Sequence, residues 1–108
     1  MQTARLFTTE TPGDGRAIEL GGLIYTTAIS GANVLRDVRE AITNTIGGQM
    51  TRYENLVEKT VDRALASLAE KAGTAGYDGV VAIRLTHPVI TDGAVEVVAM
   101  GTGFRYRG

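Results

Sequence analysis

Cysteine is missing from the 108-residue chain. Its absence removes disulfides, thiolate chemistry and cysteine-based zinc sites together. Histidine occurs once, at His87, so neither a His-rich metal site within one chain nor an H-E-x-x-H pattern is available. Serine occurs twice, at Ser30 and Ser67, and neither lies in G-x-S-x-G. No nucleophile–base pair is visible, and no enzymatic activity is expected. Charge of one sign is also missing: 11 Lys+Arg against 12 Asp+Glu give a net charge of -1. Nothing global attracts a polyanion, so nucleic acid is not an expected partner. No apolar run approaches the roughly 20 residues of a membrane helix. The opening "MQTARLFTTE" lacks the apolar core of a signal peptide. A cytoplasmic location without a membrane partner is the expectation.

What is present suits one ordinary domain over 1–108: 44% hydrophobic and 21% charged residues. "TARLFTT" (3–9) reads as a first strand, broken by the turn dipeptides Pro12-Gly13 and Asp14-Gly15. "AIELGGLIYTTAI" (17–29) resumes in β, with Ile18, Leu20, Ile24 and Thr26 on one face and Gly21-Gly22 as a bulge. Over 31–48 the period changes. Val34, Leu35, Val38, Ala41, Ile42, Thr45 and Ile46 mark one helical face, with Asn33 as N-cap and Gly47 or Gly48 as terminator. A second helix is predicted over 49–73, about 37 Å long. Its apolar face is Met50, Tyr53, Val57, Val61, Ala64, Leu65, Leu68 and Ala72. "VVAIRLTHPVI" (80–90), stopped near His87-Pro88, and "AVEVVAMGTGFRYR" (94–107) are the last two strands. The order β-β-α-α-β-β predicts an α+β two-layer sandwich: an antiparallel sheet with two helices on one face.

The strand patterns go further. In the last strand one face carries Val95, Val97 and Ala99, and the other carries Val98, Met100, Thr102, Phe104 and Tyr106. Half-exposed sheets alternate apolar with polar; this second face is too apolar for water and suits a partner subunit. On the long helix, Glu54, Glu58 and Asp62 form an acidic ridge beside Asn55, Lys59 and Arg63. Such stripes suit a head-to-tail contact that closes into a ring, or equally a solvated face. Leu56 falls outside the apolar arc and is expected to be exposed.

Gly47-Gly48 follows a helix and lacks the Lys of a phosphate loop, so it reads as a helix junction. "GTGFRYRG" (101–108) has the wrong spacing for a dinucleotide fingerprint. Free N–H groups near Gln49 could hold an anion, and Arg5, Arg84, Arg105 and Arg107 on strands could line an anion pocket. Asn33, Arg36 and Asp37 cluster at a helix start, where N–H groups and a guanidinium favour an anionic ligand. Capping and an intersubunit ion pair are equally good roles for them. If a metal ion is a cofactor, its candidate ligands are His87, Glu54, Glu58 and Asp62, completed by symmetry mates.

The ordered set Gly31-Ala32-Asn33 with Arg36-Asp37, Gly47-Gly48, Tyr53, Gly76-Tyr77-Asp78-Gly79-Val80-Val81 and Gly101-Thr102-Gly103-Phe104 resembles the YbjQ-like family of small bacterial proteins. The resemblance implies a dodecin-like α+β subunit that assembles as a homopentamer, and a heavy-metal-binding label. Soft metals prefer thiolate, which this chain lacks. Tyr77 and Gly79 stand where the family usually has a small Ala. The leading expectation is a non-enzymatic ring with a small-molecule or anion ligand at its subunit interfaces. Metal binding and a purely structural oligomer are the alternatives.

Overall fold

The computed structural model describes residues 4–30, 48–88 and 94–108. Strands β1 (Arg5–Leu6), β2 (Ile18–Ser30), β3 (Gly79–Thr86) and β4 (Val95–Tyr106) form one curled sheet in the order β1-β3-β4-β2. One helix, α1 (Gly48–Thr74), packs against it. The class is α+β, as expected, but the sheet is mixed. β1 runs parallel to β3, while β2 and β3 are antiparallel to β4. An antiparallel sheet does not need β1, β3 and the long helix to be arranged as a crossover; here α1 precedes β3 and returns the chain beside β1. The helix predicted over 31–48 lies outside the described residues, so among these there is one helix rather than two.

The helix lies on the sheet through a ridge at four-residue spacing. Thr60, Ala64, Leu68 and Ala72 are all fully buried, because residues four apart share a helix face. Their inner-face partners on β2 are polar as well as apolar. Thr26 Oγ1 donates to the Ala64 carbonyl at 2.8 Å, and Ser30 Oγ and Thr60 Oγ1 share a hydrogen bond. Thr60 was not on the predicted apolar face; its hydroxyl is satisfied by Ser30 and by the Leu56 carbonyl at 2.9 Å. Leu56 itself is half-buried, not exposed as its wheel position suggested. The core is completed by Ile24, Ala28, Val80, Ile83, Val97 and Ala99.

α1 ends in a Schellman motif. Gly76 has φ 88°; its N–H donates to Gly73, and the Tyr77 N–H donates to Ala72, each at 3.0 Å. This drops Tyr77 onto the sheet. Its ring occupies the space that side chains at Gly21 and Gly103 would need, and its hydroxyl accepts the Gly22 N–H at 3.0 Å.

The expected bulge at Gly21-Gly22 is present as a register shift between Leu20 and Leu23. It changes the face assignment. Leu20 pairs with Phe104 and Leu23 with Thr102, so β2 spends one residue more than β4 between these pairs. Successive residues alternate faces, and the extra residue therefore puts Ile18 and Leu20 on the face opposite Ile24 and Thr26. β3 has a matching shift between Val81 and Arg84, where Ala82 takes φ 55°.

Candidate functional site

The two bulges assemble an outer sheet face, opposite α1. β2 contributes Leu20, Leu23, Tyr25, Thr27 and Ile29; β4 contributes Val98, Met100 and Thr102 beside them. The β3 side of this face is covered by the chain itself. The segment after β1 runs along β3, with Phe7 N–H donating to Val80, Ile83 N–H to Phe7, and Ala82 N–H to Thr9. Phe7 packs near Phe104 and Phe104 edge-on against Tyr106, at centroid distances of 6.1 and 5.3 Å. Phe104 and Val81 are consequently buried. The β2 side is open. Leu23 is 67% exposed, Leu20 62%, Tyr25 53% and Ile29 51%. The sequence expectation of an apolar second face thus holds along β2, while Phe104 is covered within the chain.

A second feature lies at the free edge of β2. A groove of about 460 Å³ runs between this edge and α1, lined by Thr26, Ser67, Glu70, Lys71, Thr74 and Ala75. Lys71 crosses it: its ammonium donates to the Tyr25 carbonyl at 2.9 Å and sits 4.5 Å from the Tyr25 ring centroid. One helix segment earlier, Arg63 donates to the Ile29 carbonyl at 2.9 Å. Arg63 therefore turns toward its own sheet, although like Asn55 and Lys59 of the expected basic stripe it stays exposed. Glu54, Glu58 and Asp62 are exposed along α1, as the helical wheel predicts.

The sequence-predicted sites fare unevenly. Asn33, Arg36 and Asp37 lie outside the described residues. His87 is exposed just beyond β3. Among the described residues no group of three or more His, Cys, Asp or Glu stands close enough to hold a metal ion, so His87, Glu54, Glu58 and Asp62 do not form a metal cluster within the chain. Of the strand arginines, Arg5, Arg84 and Arg105 do not converge on an anion pocket either. Arg84 donates to the Thr8 and Ile83 carbonyls. Arg105 donates to the Gly76 and Ala75 carbonyls and stacks on Tyr77, and Arg5 lies over Phe7. Ser30 is 6% exposed and bound to Thr60.

At the opposite end of the sheet, Tyr106 Oη donates to Asp14 Oδ2 at 2.7 Å, and the Arg16 guanidinium stacks 3.6 Å from the Tyr106 ring centroid. The Tyr106 hydroxyl, followed by the Arg16 backbone N–H, holds the Asp14 carboxyl below its usual range. The same bond pushes the Tyr106 hydroxyl up. This cluster latches the 10–16 loop onto β4. The Pro-Gly and Asp-Gly turns were legible in sequence; the partner of Asp14, 92 residues away, was not.

Comparison with known proteins places this architecture. A family described as "Putative heavy-metal-binding", the YbjQ-like family, matches residues 5–107. A UPF0145 protein of Natronomonas pharaonis is 36% identical over 107 residues, covering 99% of this chain and 100% of that protein. One from Halorubrum lacusprofundi is 32% identical over 102 residues, covering 94% and 98%. One from Psychromonas ingrahamii is 29% identical over 100 residues, covering 93% and 95%. The first two are archaeal, so the relatives are not confined to bacteria. The crystal structure of a protein of unknown function from Pediococcus pentosaceus superposes with a TM-score of 0.65 at 15% identity, covering 96% of this chain and 98% of that one; at that identity the likeness concerns the fold. Matched over nearly its whole length, the chain belongs to the YbjQ-like family.

Proposed function

We propose that this protein is a non-enzymatic homo-oligomeric binding protein, a ring of five by the family resemblance. Its ligand, a small molecule or anion, sits at the subunit interfaces, with Asn33, Arg36 and Asp37 as the contacting residues. One observation carries this reading: Leu20, Leu23, Tyr25 and Ile29 are each more than half exposed on one strand of the outer sheet face. Contiguous exposed apolar surface of this kind marks interaction sites. Complete burial of a Leu or Ile side chain is worth about 1.5–3 kcal/mol, so a second copy covering this face gains several such increments. The engagement of the buried Ser30 hydroxyl by Thr60 supports a structural rather than nucleophilic role for that serine.

Arg36→Ala separates the two roles of the polar cluster. Loss of ligand from an intact oligomer assigns Arg36 to binding, whereas dissociation of the oligomer assigns it to the interface. The family description favours a second reading, metal binding. Because the described residues of one chain offer no ligand cluster, such a site would have to be shared between copies, with His87 and the α1 carboxylates repeated around an axis. Elemental analysis of untagged protein tests it: a stoichiometric metal retained through gel filtration establishes this reading, and substoichiometric metal sinks it.

A further inference from the structure

We propose that the free edge of β2 is a strand-pairing surface for the same edge of a second copy, and that Arg63 and Lys71 hold it shut. β2 is 13 residues long and, among the described residues, ends the sheet. An edge strand presents a row of N–H and C=O groups that templates pairing with another chain. The Tyr25 and Ile29 carbonyls accept side-chain donors from α1, so these residues turn their backbone groups away from β4. By alternation Thr27, midway between them, does the same.

This edge has few of the usual defences. β2 contains no proline, and its bulge lies at Leu20–Leu23, away from the 25–29 stretch. The two helix cations supply the defence instead. Each occupies one outward carbonyl at 2.9 Å and brings a positive charge to the edge, and Lys71 is held additionally by the Tyr25 ring. An incoming strand must displace both. Paired antiparallel about Thr27, two copies would present the same patch to each other, so the contact is self-complementary. The outer face that we assign to ring assembly is a different surface, and shutting the edge keeps one assembly from being stitched to the next.

The test is the Arg63→Ala/Lys71→Ala double variant of the full chain, followed by light scattering across protein concentration. Both positions are exposed on a helix that tolerates Ala. A gain in weight-average mass over wild type, reversed by adding Thr27→Pro, is the expected result, since proline removes the outward N–H at the centre of the pairing. The gain is about two-fold from a monomer, because a self-complementary contact closes at two copies, and more from a ring that presents one edge per subunit. The conservative Arg63→Lys/Lys71→Arg variant keeps the wild-type mass. Unchanged mass in a folded double variant overturns the proposal. So does a gain that Thr27→Pro leaves intact, because the added mass then comes from another surface. Should the double variant not fold, the single variants carry the test, and wild-type mass in both overturns it. The wild-type mass, measured alongside, reports on the ring separately.

Discussion

The ring of Tyr77 fills the place of the side chain that Gly103 lacks. A methyl group on Gly103 would stand 2.5 Å from Tyr77 Cδ2 and 2.6 Å from Cε2, well inside contact distance. Tyr77 reaches this position because the Schellman turn at Gly76 ends α1 there, and Arg105 clamps its outer surface. Helix stop, bulge and last strand therefore meet on one ring.

Gly103→Ala should accordingly destabilise the fold by about 1–3 kcal/mol, the usual cost of overpacking. Adding Tyr77→Ala removes the obstruction, so the double variant should be more stable than the sum of the single effects requires. Urea unfolding of the four proteins measures the coupling; strict additivity would show that Tyr77 is not the neighbour that matters.

The Ser30–Thr60 pair is the polar joint between β2 and α1. In Ser30→Ala the Thr60 hydroxyl keeps the Leu56 carbonyl, and the loss should be about 0.5–1.5 kcal/mol. Thr60→Val takes from the buried Ser30 hydroxyl its Thr60 partner and should cost more, about 1–3 kcal/mol. Equilibrium unfolding ranks the two, and an equal or reversed order would contradict this assignment.

The Asp14–Tyr106 latch gives a pH signature. A carboxyl whose pKa is lowered on folding contributes stability above its ordinary value and loses it as pH falls through the lowered one. A tyrosine hydroxyl raised on folding contributes fully below its ordinary value and loses that contribution as pH rises through the raised one. The latch should be complete between about pH 4 and pH 10 and weaken outside that window. In thermal melts, the gap between wild type and Tyr106→Phe should be widest near neutrality and close at both extremes. A gap that does not vary with pH would remove the latch.

Local signals in the sequence located most of the fold. The long helix, its stop at 73–79, the Gly21-Gly22 bulge and the last three strands all follow from periodicity and turn chemistry, within a residue or two. β3 stops at Thr86, directly before His87-Pro88, where the proline is expected to end it. What was not legible depends on distant partners. Nothing near residue 5 says that β1 joins β3 in parallel, and Thr60 looks polar until Ser30 is beside it. The bulge was readable, but its consequence for Leu20 required the register against β4. The open outer face came from the alternation in β4. Its closure around Phe104 came from Phe7, which no pattern in β4 could announce. Of the candidate site, Asn33, Arg36 and Asp37 fall outside the described residues, and the edge contacts of Arg63 and Lys71 needed the helix and strand brought together.

The central claim, that the open outer face of β2 is an interface between copies, is tested most directly by native mass spectrometry of untagged protein. It should be done on wild type beside a Leu23→Ser/Ile29→Ser variant whose circular dichroism matches wild type. The account predicts an oligomer for wild type, five-fold by the family resemblance, and a monomer for the variant. A monomeric wild type, or a variant that keeps the wild-type assembly, would contradict it.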